Sequence, residues 1–200
     1  DANSGIVVGD PISSKLGIMK TTNAGATWST STTVPAVATG EKIVAGAVYA
    51  NATGIWCGTT NDRVLYSTNQ GANWGTGTLS IGAGQILSVA FQDDKIGVAL
   101  YRTGGAGSAV KIASSTTGGS TWTLDVFNPS TLEIQAVKVT SPGKYCLMIG
   151  SNGEVYATED AGKTWQPVLS RSAGNVTVAD ARQSSRNTVL FGGDKFSVLQ

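Results

Sequence analysis

The chain has 200 residues with a formal net charge of +1, and only 14% of its side chains are charged, against about 25% in an average soluble protein. Its Lys and Arg residues are scattered singly, which excludes the basic stripe that tracks a nucleic-acid backbone, and no apolar run reaches the roughly 18 to 20 residues of a membrane-spanning helix. The chain contains no histidine, which excludes Ser/His/Asp triads, Cys/His pairs and the commonest metal ligand together.

The 26 glycines are nearly double the usual share of roughly 7% and demand frequent turns, and the length fits one domain around one sizeable core. In chain order, the first predicted elements are strands from Gly5 to Gly9 and from Leu16 to Thr21, the second running into the octet Thr21-Thr22-Asn23-Ala24-Gly25-Ala26-Thr27-Trp28. Strands predicted at Ile43 to Tyr49, Ile55 to Gly58 and Val64 to Ser67 lead into Ser67-Thr68-Asn69-Gln70-Gly71-Ala72-Asn73-Trp74. The same order follows at Gln85 to Phe91, Ile96 to Tyr101 and Val110 to Ser114, before Ser115-Thr116-Thr117-Gly118-Gly119-Ser120-Thr121-Trp122. It returns at Ile134 to Val139, Tyr145 to Gly150 and Val155 to Thr158, before Thr158-Glu159-Asp160-Ala161-Gly162-Lys163-Thr164-Trp165. The chain then offers strands at Val176 to Ala181, Thr188 to Phe191 and Phe196 to Leu199. These runs are short, apolar or alternating, and bounded by turn residues, and no segment carries a sustained helical spacing of apolar side chains.

The four octet tryptophans are 46, 48 and 43 residues apart, which is the roughly 40 to 50 residues of one four-stranded propeller blade. Each octet position has a physical reason. A short oxygen-bearing side chain at the third position accepts backbone N–H groups further round the turn, and glycine two residues later tolerates positive φ. The tryptophan buries a large ring and ties the hairpin to its blade.

These octets resemble the Asp-box, Ser/Thr-x-Asp-x-Gly-x-Thr-Trp, shared by sialidases, xyloglucanases, sortilin-type receptors and photosystem assembly factors. The resemblance implies an all-β propeller of four-stranded antiparallel blades, with residues 1–200 as a single domain. The family's Asp is kept only at Asp160 and is replaced by Asn23, Asn69 and Thr117. A turn needs only an acceptor, so these boxes read as structural and not as metal or catalytic sites. The segments Val7-Val8-Gly9-Asp10-Pro11, Gly17-Ile18-Met19-Lys20-Thr21-Thr22 and Gly54-Ile55-Trp56-Cys57-Gly58-Thr59-Thr60 are similar to secreted propellers of the Bacteroidetes group, which implies export to the medium or the cell surface. The ends of the repeat are out of phase, since the first blade opens on a second strand and the last closes on a third. About five blades are therefore expected, either as a ring sealed by both ends of the chain or as part of a larger propeller or longer protein, and the missing inner and outer strands favour the latter.

Candidate chemistry is sparse. Asp10, Asp62, Glu154 and Asp194 all follow a predicted second strand, so equivalent turns on successive blades would gather them on one face. There they serve either as ordinary solvated turn residues or as a ligand or cation site. Arg63, Arg102 and Tyr101 are further candidates for ligand contact, as is Trp56, whose place in an alternating strand also suits core packing. A glycosidase needs two carboxylates facing across a cleft, and sequence alone cannot pair these four. The sialidase resemblance implies an arginine triad and an Arg-Ile-Pro-like segment, and no Arg-x-Pro precedes the first octet. Gly104-Gly105-Ala106-Gly107 lacks the Gly-Lys-Ser/Thr ending of a phosphate loop and reads as a connection. Cys57 and Cys146 fit no metal spacing and are expected as small buried hydrophobes. Asn51-Ala52-Thr53 and Asn175-Val176-Thr177 match glycosylation acceptors. No cofactor and no metal are expected. The reading favoured is a non-enzymatic binding or scaffold module for protein or glycan, and the alternative is a glycoside hydrolase of the xyloglucanase or sialidase-like class.

Overall fold

The computed structural model describes residues 3–12, 14–30, 33–105, 108–125, 134–141, 145–150, 155–169, 178–185 and 188–193. Every regular element among them is a strand, and the strands form antiparallel meanders in chain order. The first sheet is β1 (Gly5–Ile12), β2 (Lys15–Thr21) and β3 (Ser29–Thr30). The second is β4 (Ile43–Ala50), β5 (Ile55–Thr59), β6 (Arg63–Ser67) and β7 (Gly75–Thr78). The third is β8 (Gly84–Phe91), β9 (Gly97–Thr103), β10 (Val110–Ser115) and β11 (Thr123–Asp125). The fourth is β12 (Ile134–Ser141), β13 (Tyr145–Gly150), β14 (Val155–Thr158) and β15 (Gln166–Leu169), and a last pair is β16 (Val178–Ser185) and β17 (Thr188–Gly193). Of the predicted inner strand at Val176 to Ala181, the part from Val178 is seen as a strand, with Val178 paired to Gly193, and Val176 and Thr177 lie outside the described residues. The strand predicted at Phe196 to Leu199 lies outside the described residues.

First strands of successive sheets pack on one another, β4 on β8, β8 on β12 and β12 on β16. The sheets therefore stand face to face along a common inner edge, as propeller blades do. Three apolar clusters fill the gaps between them. Leu16, Ile18 and Val34 meet Ile55, Cys57, Leu65 and Trp74 between the first and second sheets. Trp56 and Val64 meet Ile86, Phe91, Ala99 and Ala113 between the second and third. Val98, Leu100 and Ile112 meet Trp165 between the third and fourth. Alternation along each strand sends one set of side chains to the preceding sheet and the other to the following one, so a complete sheet such as β8–β11 is apolar on both faces.

The octets fall between the third and fourth strands and repeat bond for bond. The first-position hydroxyls of Thr21, Ser67, Ser115 and Thr158 accept the amides of Gly25, Gly71, Gly119 and Gly162 at 2.8–3.0 Å. The third-position oxygens of Asn23, Asn69, Thr117 and Asp160 accept the amides of Thr27, Asn73, Thr121 and Thr164 at 2.8–2.9 Å. Two consecutive residues in every octet have positive φ, with the fifth-position glycine at 78° to 92°, a region that a Cβ makes costly. The indoles of Trp74, Trp122 and Trp165 then donate to the carbonyls of Gly71, Gly119 and Gly162 at 3.2, 2.9 and 3.0 Å.

Each of those three rings lies against the preceding sheet. A Cβ on Gly162 would meet Val98 of the third sheet at 2.7 Å, and one on Gly77 of the second sheet would collide with the Gly119 carbonyl, so the octets seat closely on their neighbours. Trp28 has no preceding sheet among the described residues, and it is 40% exposed where Trp165 is 4% exposed. Substitution by alanine therefore separates the two. Trp165→Ala is expected to cost about 3–5 kcal/mol by loss of a filled core position, and Trp28→Ala about 1 kcal/mol or less, measured by urea unfolding of each variant.

Candidate functional site

The second and third strands meet at the end of each sheet opposite the octet, and Asp10, Asp62, Arg63 and Arg102 of the sequence candidates lie towards that end, while Trp56 and Tyr101 are buried between sheets. Asp62 occupies the β5–β6 turn with φ 63°, a left-handed conformation that Asp tolerates better than most residues. Its amide donates to the Gly84 carbonyl at 2.8 Å and its carbonyl accepts the Leu79 amide at 3.0 Å. Its Oδ2 accepts the Ile81 amide at 2.9 Å, while Oδ1 is buried without a partner among the described residues. Burial pushes this carboxyl above its ordinary range against the opposing pull of the backbone N–H groups of the 79–82 turn. Asp62 thus fastens the connection from the second sheet to the third.

Arg63 begins β6 and turns back over the segment that precedes β4. Its Nε donates to Glu41 Oε1 at 2.8 Å, its Nη2 donates to Glu41 Oε2, and the same nitrogen donates to the Ala36 carbonyl at 3.0 Å. The Glu41 side chain is fully buried and accepts the Ala38 amide at 2.9 Å. Burial would raise its pKa, but the Arg63 fork, the Ala38 amide and Thr59 outweigh burial and hold the carboxyl below its ordinary range. Glu41 was not singled out from the sequence, because Gly40-Glu41-Lys42 carries no signal beyond a turn. The adjacent Lys42 pairs with Asp10 at 3.4 Å, both side chains being more than half exposed. Its backbone is pinned to Thr60, with Lys42 N donating to Thr60 Oγ1 at 3.0 Å and Thr60 N to the Lys42 carbonyl at 2.9 Å.

Asp10, Lys42, Glu41, Arg63 and Asp62 therefore follow one another along a rim. Beside them is a cavity of about 460 Å³ lined by Asp10, Pro11, Ser14, Thr39, Glu41 and Lys42. Arg102 stands near the corresponding end of β9, in register with Gln85 and Val110, one residue from the Gly84 carbonyl that Asp62 binds. Glu154 and Asp194 lie outside the described residues. Among the described residues, no group of three His, Cys, Asp or Glu side chains is placed to hold a metal.

Trp56 stands apart from the rim. It has no exposed surface, stacks on Phe91 with ring centroids 4.1 Å apart, and donates its indole N–H to the Gly118 carbonyl at 3.0 Å. Of the two uses the sequence allowed this ring, the structure has the packing one. Tyr101 is likewise buried in the cluster between the second and third sheets. Cys57 is buried as a free thiol pushed up to about 12 by desolvation, and the Cys146 side chain lies outside the described residues. Asn51 of the first glycosylation match is occupied as a loop anchor, with Oδ1 accepting the Thr53 and Gly54 amides and Nδ2 donating to the Phe91 carbonyl. Asn175 is outside the described residues.

No protein-family model matches the chain, and no curated protein matches it. Solved structures do. A GH74 enzyme from Niastella koreensis is 20% identical with a TM-score of 0.60, covering 96% of this chain and 32% of its own. The GH74 xyloglucanase from Xanthomonas campestris is 13% identical with a TM-score of 0.50, covering 91% and 32%. YCF48 bound to D1 peptide is 20% identical with a TM-score of 0.50, covering 69% and 46%. The chain thus spans a third to a half of these proteins, and the likeness establishes the propeller fold.

Truncating Arg63 tests the rim's interior. Arg63→Ala leaves the Glu41 carboxylate buried without its partner and is expected to cost about 3–5 kcal/mol at neutral pH. Glu41 has a lowered pKa in the folded chain, so its contribution is complete above the ordinary carboxylate range and is lost as pH falls through the folded value below that range. In Arg63→Ala the unpartnered carboxyl binds its proton more readily, so acidification is expected to restore stability, read from urea unfolding at neutral and acidic pH.

Proposed function

We propose that this chain is a non-enzymatic propeller module, secreted or displayed at the cell surface, that binds protein or glycan through the rim where second strands pass into third strands. The observation that carries this reading is the division of labour among the rim carboxylates. Glu41 and Asp62 are buried in structural bonds, and Asp10 is tied to Lys42. Carboxylates bound in this way are not free to serve as the facing acid and base that glycoside hydrolysis requires. An exposed ion pair such as Asp10–Lys42 contributes roughly 0–1 kcal/mol, so a ligand can replace it at little cost. The exposed loop around Thr39 and Gly40 extends the same surface.

The resemblance of the octets to the Asp-box supports membership of that propeller class, in which the boxes are structural. A neighbour in fold was solved with a peptide bound, which supports a protein ligand. The hydrolase alternative draws on the two GH74 neighbours. Immobilised chain probed with glycan and peptide arrays discriminates the two readings. A ligand lost in the double variant Asp10→Ala/Lys42→Ala, with thermal unfolding unchanged, supports the binding module. Turnover of xyloglucan or a sialoside by the purified chain, abolished by Asp10→Asn or Asp62→Asn, would establish the hydrolase instead.

A further inference from the structure

The β1–β2 turn and the β5–β6 turn are counterparts, and each is bonded to the segment that crosses from its own sheet to the next. Ser14 and Asp62 hold the same place in them. Each stands immediately before the strand that leads into an octet, β2 or β6, and each is left-handed, at φ 65° and 63°. The Ser14 carbonyl accepts the Val37 amide at 3.2 Å, as the Asp62 carbonyl accepts that of Leu79 at 3.0 Å. Further along the two crossing segments, Gly40 and Gly82 are left-handed at φ 78° and 65°. Counted from Val37 and Leu79, Thr39 and Gly40 are therefore the counterparts of Ile81 and Gly82.

What differs is the side chain that meets the crossing segment. In the second sheet it is the Asp62 carboxylate, whose Oδ2 accepts the Ile81 amide at 2.9 Å. In the first sheet Ser14 brings no carboxylate, and among the described residues nothing accepts the amides of Thr39 and Gly40. The left-handed Ser80 and Ala83 have no left-handed counterparts there. Instead Glu41 turns back to accept the Ala38 amide, the counterpart of Ser80, at 2.9 Å. The space beside Ser14 is the rim cavity of about 460 Å³. Lys42 lines it, held at 3.4 Å by Asp10 in a pair more than half exposed, while the buried charge of Glu41 is balanced by Arg63. Open backbone amides with an ammonium beside them are an anion site.

We propose that this cavity receives a carboxylate from an acidic peptide, an Asp side chain seated as Asp62 is seated in the next sheet. This names the ligand class for the binding function proposed above and rests on that reading. The carboxylate accepts the Thr39 and Gly40 amides and takes Lys42 from Asp10. One exposed ion pair, worth little in itself, is exchanged for another, and the backbone bonds are the gain. Pro11, Val37 and Ala38 give the cavity an apolar wall, and Ile12 stands 74% exposed at the end of β1, so an apolar residue beside the Asp completes the match. Among the described residues no aromatic ring lines the cavity, which leaves a sugar no face to stack on and fits a peptide.

The probe is the dipeptide acetyl-Val-Asp-amide, titrated at neutral pH into the whole isotope-labelled chain and followed by amide NMR, with acetyl-Val-Asn-amide and glucuronate as comparisons. Saturable shifts at the Thr39 and Gly40 amides are expected with the Asp probe and none with the Asn probe. Ser14→Asp gives the first turn the carboxylate that the second already has, at a left-handed position that Asp tolerates, and is expected to abolish binding with circular dichroism intact. Lys42→Ala is expected to raise Kd about fivefold, and Asp10→Asn, which frees Lys42, to lower it. Absence of shifts at Thr39 and Gly40 in folded chain, equal binding of the Asn probe, or unchanged binding by Ser14→Asp overturns the inference. Binding of glucuronate in place of the Asp probe overturns the peptide assignment and gives the site to an acidic glycan. A ligand found on the arrays and kept by Ser14→Asp overturns this inference alone and leaves the binding module standing.

Discussion

The interaction on which the molecule depends is the seating of an octet tryptophan against the sheet before its own. A lone meander of four short strands cannot bury both of its apolar faces, so each sheet is stable only between neighbours. The octet solves the alignment of those neighbours. Its hydroxyl and its third-position oxygen capture amides that a tight turn leaves without strand partners, and its glycine takes a conformation that Cβ disfavours. The turn so fixed aims the indole into the gap, where the ring also closes its own hydrogen bond to the glycine carbonyl. In the third sheet this corner is joined to the second by continuous aromatic contact, from Trp56 to Phe91 to Trp122.

That construction separates the two ends of each sheet in function. The octet end is committed to structure, because its polar atoms are engaged locally and the rings of Trp74, Trp122 and Trp165 are packed between sheets. The opposite end carries loops of varied length whose buried charges, Glu41, Arg63 and Asp62, hold the loops in place beneath exposed ones, Asp10 and Lys42. A buried ion pair adds little net stability over apolar packing but makes the loss of either partner expensive. It therefore fixes the shape of the rim without consuming the side chains that face solvent.

Much of this was legible in the sequence. The octets were readable because their contacts are local, with acceptor and donor two to four residues apart, so that Asn69 and Thr117 announce the same turn as Asp160. First, second and third strands were readable where branched and aromatic residues cluster, as in Ile55 to Thr59 and Val110 to Ser115. The fourth strands were not, because Gly75-Thr76-Gly77-Thr78 and Ser29-Thr30 are short, polar outer edges whose pairing is imposed by the turn before them. Glu41 was missed because its importance arises from Arg63, 22 residues away, and pairing at that distance leaves no periodic trace. Trp56 shows the reverse difficulty, since an aromatic in a strand reads equally as core or as contact until the neighbouring Phe91 and Gly118 are placed around it.

Hydrogen exchange at the indole N–H groups tests the central claim most directly, because the chain has five tryptophans and each gives its own NMR signal. The account predicts slow exchange at Trp56, Trp74, Trp122 and Trp165, whose indoles donate to glycine carbonyls between packed sheets, and fast exchange at Trp28 alone. Exchange at Trp74, Trp122 and Trp165 as fast as at Trp28 would contradict it, since those rings would then not be seated on the sheets that precede them.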